Sequence, residues 1–106
     1  MNEFLAIGSI VYLKDSLKKV MITGRVMHIE ENDEKKMYDY CGCIYPDGVD
    51  SNKMLVFNRV DVNSVVFKGY QDDDEIEMRK RMHLWLQENG YEDKKEDSKE
   101  GMNLEL

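Results

Sequence analysis

The chain has 106 residues and a mass of 12.5 kDa, room for one domain of ordinary size. Hydrophobic residues make up 42% and charged residues 35%, enough for a modest core inside a very soluble surface. Fifteen Lys and Arg against 22 Asp and Glu leave a net charge of −7, which argues against free nucleic acid or an anionic membrane as the main partner, because both select basic surfaces.

Ile7–Leu13 (IGSIVYL) is short, β-branched and aromatic, and reads as a first strand closed by a Lys14-Asp15-Ser16 turn. Lys19–Ile29 is the longest β-like run. Alternation puts Val20, Ile22, Val26 and His28 on one face and Met21, Thr23, Arg25, Met27 and Ile29 on the other, with a bulge or bend expected at Gly24. Glu30–Lys36 is expected as a polar hairpin loop and Met37–Tyr45 as a third strand ending in the turn Tyr45-Pro46-Asp47-Gly48. Lys53–Phe57 reads as a fourth strand, Asn58–Asn63 as a turn or single helical turn, and Ser64–Tyr70 as a fifth strand.

The period then changes. Asp72 is a good N-cap, and Asp73, Asp74 and Glu75 place acid where a helix start carries partial positive charge. Met78, Met82, Trp85 and Leu86 follow at i, i+4, i+7 and i+8, and Asn89-Gly90 is a stop signal, so a helix is expected over Asp73–Glu88 with those four residues anchoring it. Residues 1–70 hold 9 basic and 10 acidic side chains, whereas residues 71–106 hold 6 and 12, so the acid is concentrated in the last third. Residues 91–106 read as a charged, disordered tail behind a single domain of residues 1–90. The expected architecture is α+β: a small curled antiparallel five-stranded sheet, or an open SH3-like barrel, followed by one C-terminal helix. A flat meander with the helix across one face is the alternative.

No spacing supports catalysis. Cys41 and Cys43 form a C-x-C pair on a strand, and His28 and His83 could be imagined beside them. Structural zinc sites use C-x₂₋₄-C and H-x₃₋₅-H spacings, and neither is present. Two reduced core cysteines are the simpler reading. Neither histidine has a Ser or Cys partner in a triad order, and Asp72–Glu75 lacks the glycine and distal Glu of a calcium loop. No metal, cofactor or enzymatic activity is expected.

The aromatic cluster is more informative. Tyr38, Tyr40 and Tyr45 lie within eight residues, with Tyr12, Phe57, Phe67 and Tyr70 on neighbouring strands. If Cys41 and Cys43 face inward, alternation turns Tyr38, Tyr40 and Ile44 to the other face. That face is either covered by the helix or presents Tyr38, Tyr40, Ile44 and Tyr45 to a partner protein.

The stretches IGSIVYLKDSLKKVMITGRV (7–26), YDYCGCIYPDG (38–48) and VFNRVDVNSVVFKGYQDDDE (56–75) resemble a family of small bacterial proteins, domain of unknown function 4176, in order over about Leu5–Glu75. The resemblance implies an accessory role, since members occur in Gram-positive bacteria, often encoded beside type VII secretion components and LXG-type toxins. It carries no catalytic residue. Together these readings give the expectation of a non-enzymatic, cytoplasmic protein-binding factor, a chaperone or adaptor for such a toxin; the alternatives are an immunity protein and, behind it, a small metal-binding or enzymatic protein. A protein partner is expected; nucleic acid binding and membrane insertion are not.

Overall fold

The computed structural model describes residues 3–91. Five strands come first, β1 (Ile10–Leu13), β2 (Lys19–Glu31), β3 (Glu34–Ile44), β4 (Leu55–Phe57) and β5 (Val62–Phe67), and one helix, α1 (Asp73–Glu88), follows. A single 3-10 turn, Arg59–Asp61, separates β4 from β5. Every strand pairing is antiparallel and the sheet order is β4-β3-β2-β1-β5. The fold is the expected α+β arrangement of an open five-stranded antiparallel sheet and a C-terminal helix.

The chain connectivity forces the sheet to curl. β4 and β5 are its opposite edges, yet only Asn58–Asp61 join them. Five flat strands at about 4.8 Å spacing would hold those edges about 19 Å apart. Three residues of that link are 3-10, advancing about 2 Å each, so the link is too short to cross a flat sheet. The flat meander is thereby set aside. β4 and β5 do not pair with each other, so the sheet stays open.

β2 and β3 are longer than their hydrophobic patterns suggest. The expected polar loop over Glu30–Lys36 is instead a continuation of both strands around a two-residue turn. Asn32 and Asp33 both take positive φ (53° and 65°), the conformation a tight hairpin turn requires and that Asn and Asp tolerate. Glu30 then faces Lys35 across the ladder, a favourable cross-strand pair. The register slips between Ile22 and Gly24, the bulge that the glycine signalled. Gly42 is fixed by close approach, since a Cβ there would lie 2.6 Å from the Met21 carbonyl oxygen.

The main core lies between the sheet and α1. Phe4, Leu5, Val11, Val20, Ile22, Met37, Tyr40, Leu55 and Phe57 meet Met82 and Leu86, with Val26, Ile44, Val62, Val65 and Trp85 packed around them. Phe4–Ala6, ahead of the expected first strand, are all buried. A smaller cluster on the opposite side of the sheet joins Tyr38, Cys41 and Val56 with Met27, Ile29 and Met54.

The helix begins and ends as its sequence dictates. The Asp72 carboxylate accepts from the Glu75 backbone N–H at 3.0 Å. At the other end Gly90 takes φ 79°, Tyr91 N–H donates to the Leu86 carbonyl and Gly90 N–H to the Gln87 carbonyl, a Schellman termination. Met82 and Leu86 are buried and Trp85 is half-buried. Met78, expected as the first anchor, is 46% exposed. Glu75 and Arg79 take its place toward the sheet, so the stripe that docks begins with a charge cluster. Residues 92–106 of the expected tail lie outside the described residues. Tyr91 belongs to the domain, because its ring stacks on Trp85 at 5.8 Å.

Candidate functional site

The most distinctive sequence block is spent on architecture. Tyr40 is fully buried, with its ring packed edge-on to Phe4 and tilted against Phe57. Its hydroxyl oxygen accepts the Leu5 backbone N–H at 2.8 Å. Burial pushes the Tyr40 hydroxyl up to about 12, against the opposing effect of that hydrogen bond. Asp39 is buried beside it. Its carboxylate accepts from the Arg59 backbone N–H at 2.8 Å and from Arg59 Nε at 3.1 Å, while its own N–H donates to Asn58 Oδ1 at 3.0 Å. The Arg59 guanidinium lies over the Phe4 ring, 4.2 Å from its centre. Asp39, Asn58 and Arg59 therefore knot β3 to the turn between the two sheet edges.

A second polar cluster ties the helix to β2. Glu75 receives two hydrogen bonds from Arg25, at 2.5 and 2.9 Å, and one from Arg79 at 2.8 Å. Arg25 also donates to the Leu5 carbonyl. Burial works to raise the Glu75 carboxyl, but the hydrogen bonds and charges of Arg25 and Arg79 prevail and hold it below its ordinary value. These groups are paired with one another and leave no poised acid, base or nucleophile.

The cysteines and histidines stand apart. Cys41 and Cys43 are buried free thiols, and burial pushes the Cys43 thiol up, away from reactive thiolate. His28 packs on Trp85 and His83 on Phe4, both on the helix side. Among the described residues no group of three or more His, Cys, Asp or Glu is placed to hold a metal ion.

The expected outward display of Tyr38 and Tyr40 is overturned. Alternation separates the faces as expected for Tyr40 and Ile44 against Cys41 and Cys43, but α1 covers the Tyr40 side. Tyr38 leaves that set, because the β2–β3 ladder is unpaired at Val26 and Asp39, where Val26 takes φ 53°. It packs with Cys41 and Val56 and is only 7% exposed. The earlier register shift at Ile22–Gly24 is what brings Arg25, expected beside Met21, to the Tyr40 side and so to Glu75. Of the four proposed contact residues, Ile44 is half-buried in the main core and Tyr45 alone is exposed.

The surface left open is the helix-free side of β5-β1-β2; on β3 that side is closed, with Cys43 only 3% exposed. Directly paired residues share a face, and the register aligns Phe67 with Ile10, Ile10 with Met21, and Met21 with Cys43. The adjacent row is Ser64, Tyr12 and Lys19, extended by Tyr45, whose N–H bonds the Lys19 carbonyl. Phe67 is 58% exposed, Tyr45 is exposed, and Ile10, Tyr12, Lys19 and Met21 are half-buried. Sequence reasoning placed Met21 on the face opposite Val20 and Ile22, and named Tyr12 and Phe67 among the aromatics. What it lacked was the pairing that joins them.

No helix among the described residues is long and apolar enough to cross a membrane. A family model described as Domain of unknown function (DUF4176) matches residues 4–78, which takes in all five strands and the start of α1. No curated protein and no solved structure matches the chain.

Proposed function

Because the chain belongs to the family described as Domain of unknown function (DUF4176), we propose that it is a non-enzymatic protein-binding factor, a cytoplasmic chaperone or adaptor for a type VII secretion toxin of the LXG class. The observation that supports a binding role is the helix-free sheet face. There Phe67, Ile10, Met21, Tyr12 and Tyr45 form a contiguous apolar and aromatic surface, and among the described residues α1 packs on the other side of the sheet. Aromatics and methionine are the residue types that interface cores favour, and a contiguous exposed apolar patch marks an interaction site. The toxin setting comes from the family resemblance.

The test is affinity capture from a bacterial host that encodes the chain, with wild type compared against Met21→Ser/Phe67→Ser. Wild type is expected to retain a toxin or secretion component that the double variant loses. Equal capture by both overturns the sheet face as the binding surface. Failure to retain any secretion component overturns the toxin role, and a captured toxin that is inactivated on binding makes the protein an immunity factor instead.

A further inference from the structure

We propose that the helix-free sheet face takes a segment of another protein that is apolar and acidic, with Lys19 as the ion-pairing residue; this rests on the reading of that face as the binding surface. Among the eight residues that the register and the Tyr45 hydrogen bond bring to these two rows, Lys19 is the only charged one. It stands between Tyr12 and Tyr45 and beside the Ile10–Met21 row, half-buried already. The exposed cations Lys18 and Lys68 follow on the strands' flanks, while Asp15 sits in the β1–β2 turn and Asp47, in the turn after β3, lies at the Cys43 end of the rows, where its charge adds to burial in raising that thiol. A chain with a net charge of −7 thus presents its open apolar face around a positive charge.

The charge decides the occupant. Covering Lys19 with apolar groups alone would strip water from an ammonium without replacing its hydrogen bonds, at a cost that opposes docking. An occupant that places a carboxylate there converts the same burial into a charge-assisted hydrogen bond and fixes its own register on the sheet. A second copy of the chain fits poorly. A two-fold interface brings the same patch onto itself, and none of the eight residues in the two rows offers a carboxylate to Lys19 of the second copy.

The test uses the isotopically labelled full chain and two synthetic peptides, one alternating leucine with glutamate and a twin with lysine for glutamate. The glutamate peptide is expected to shift the amide resonances of Ile10, Tyr12, Lys19, Met21, Tyr45 and Phe67, and to bind at least ten-fold more tightly than its twin. Lys19→Glu, a surface change checked by an unaltered spectrum elsewhere, is expected to reverse the order. Equal affinity for both peptides on this face, or no effect of Lys19→Glu, overturns the acidic partner and leaves the face as a binding surface. Shifts that avoid this face with both peptides overturn the surface itself. Concentration-dependent shifts at these residues without peptide, or their appearance only after truncation behind Tyr91, assign the face to a second copy or to the chain's own residues 92–106 and likewise overturn the proposal.

Discussion

Glu75, on the first turn of α1, and Arg25, fifty residues earlier on β2, form a two-pronged ion pair with both side chains almost entirely buried. The pair fixes the start of the helix on the sheet, and Arg79 and the Leu5 carbonyl complete its hydrogen bonding. It differs in kind from Arg81–Glu77 on the outer face of the same helix, 3.8 Å apart and exposed, which contributes little. Glu75→Ala should cost about 3–5 kcal/mol in urea denaturation, because it strands a buried guanidinium. Arg25→Met with Glu75→Leu should recover much of that loss, since apolar replacement of a whole buried pair is often neutral. A double variant no more stable than Glu75→Ala would show that the pair holds more than its own charges.

The same carboxylate makes stability acid-sensitive. Its folded-state value is depressed, so its contribution is fully present above the unfolded value of about 4.5 and is lost as pH falls through the folded one. Stability should therefore decline more steeply between about pH 5 and pH 3 in wild type than in Glu75→Gln, which has no proton to take up at this position. Parallel declines measured by thermal unfolding across that range would contradict the assignment.

Tyr40→Phe keeps the ring packing and removes the acceptor of the Leu5 N–H, leaving a buried donor unmet. A loss of about 1–3 kcal/mol is expected in denaturant unfolding. Tyr38→Ser/Tyr40→Ser should fail to fold, as judged by circular dichroism, since it empties a fully buried position in the main core and a nearly buried one in the smaller cluster. A folded double variant would mean that these rings are dispensable to the sheet.

On the helix, Met82→Ala should cost about 2–5 kcal/mol and Met78→Ser no more than about 0.5 kcal/mol. The comparison reads which stripe of α1 meets the sheet: Met82 is buried against Leu86 and the main core, whereas Met78 faces out. Equal losses in thermal melts would place Met78 at the interface after all.

Local signals were fully legible where local physics decides. The bounds of α1, its Asp72 cap and its Gly90 stop follow from hydrogen-bonding and φ preferences that act within a few residues. So do the order of the five strands and the Gly24 bulge. The hairpin at Glu30–Lys36 is legible, but its two-residue Asn32-Asp33 turn is not, because two residues tolerant of positive φ sit inside a charged run that reads as a longer loop. Met78 was misassigned because an apolar period treats charged residues as outward, while Arg25, unseen on a distant strand, draws Glu75 and Arg79 inward.

The sequence by itself determined the elements, their order and the separation of Tyr40 and Ile44 from Cys41 and Cys43. Alternation along a strand depends only on the pleat, and so it divides residues between two faces without saying which face will be covered. Only the tertiary structure decided that. The short link from β4 to β5 curls the sheet, the Arg25–Glu75 pair lays α1 over the Tyr40 side, and the tyrosines that looked like a surface become core. The same choice leaves Phe67, Ile10 and Met21 open on the far side, a row that exists only when β5, remote in sequence, is set in register beside β1 and β2.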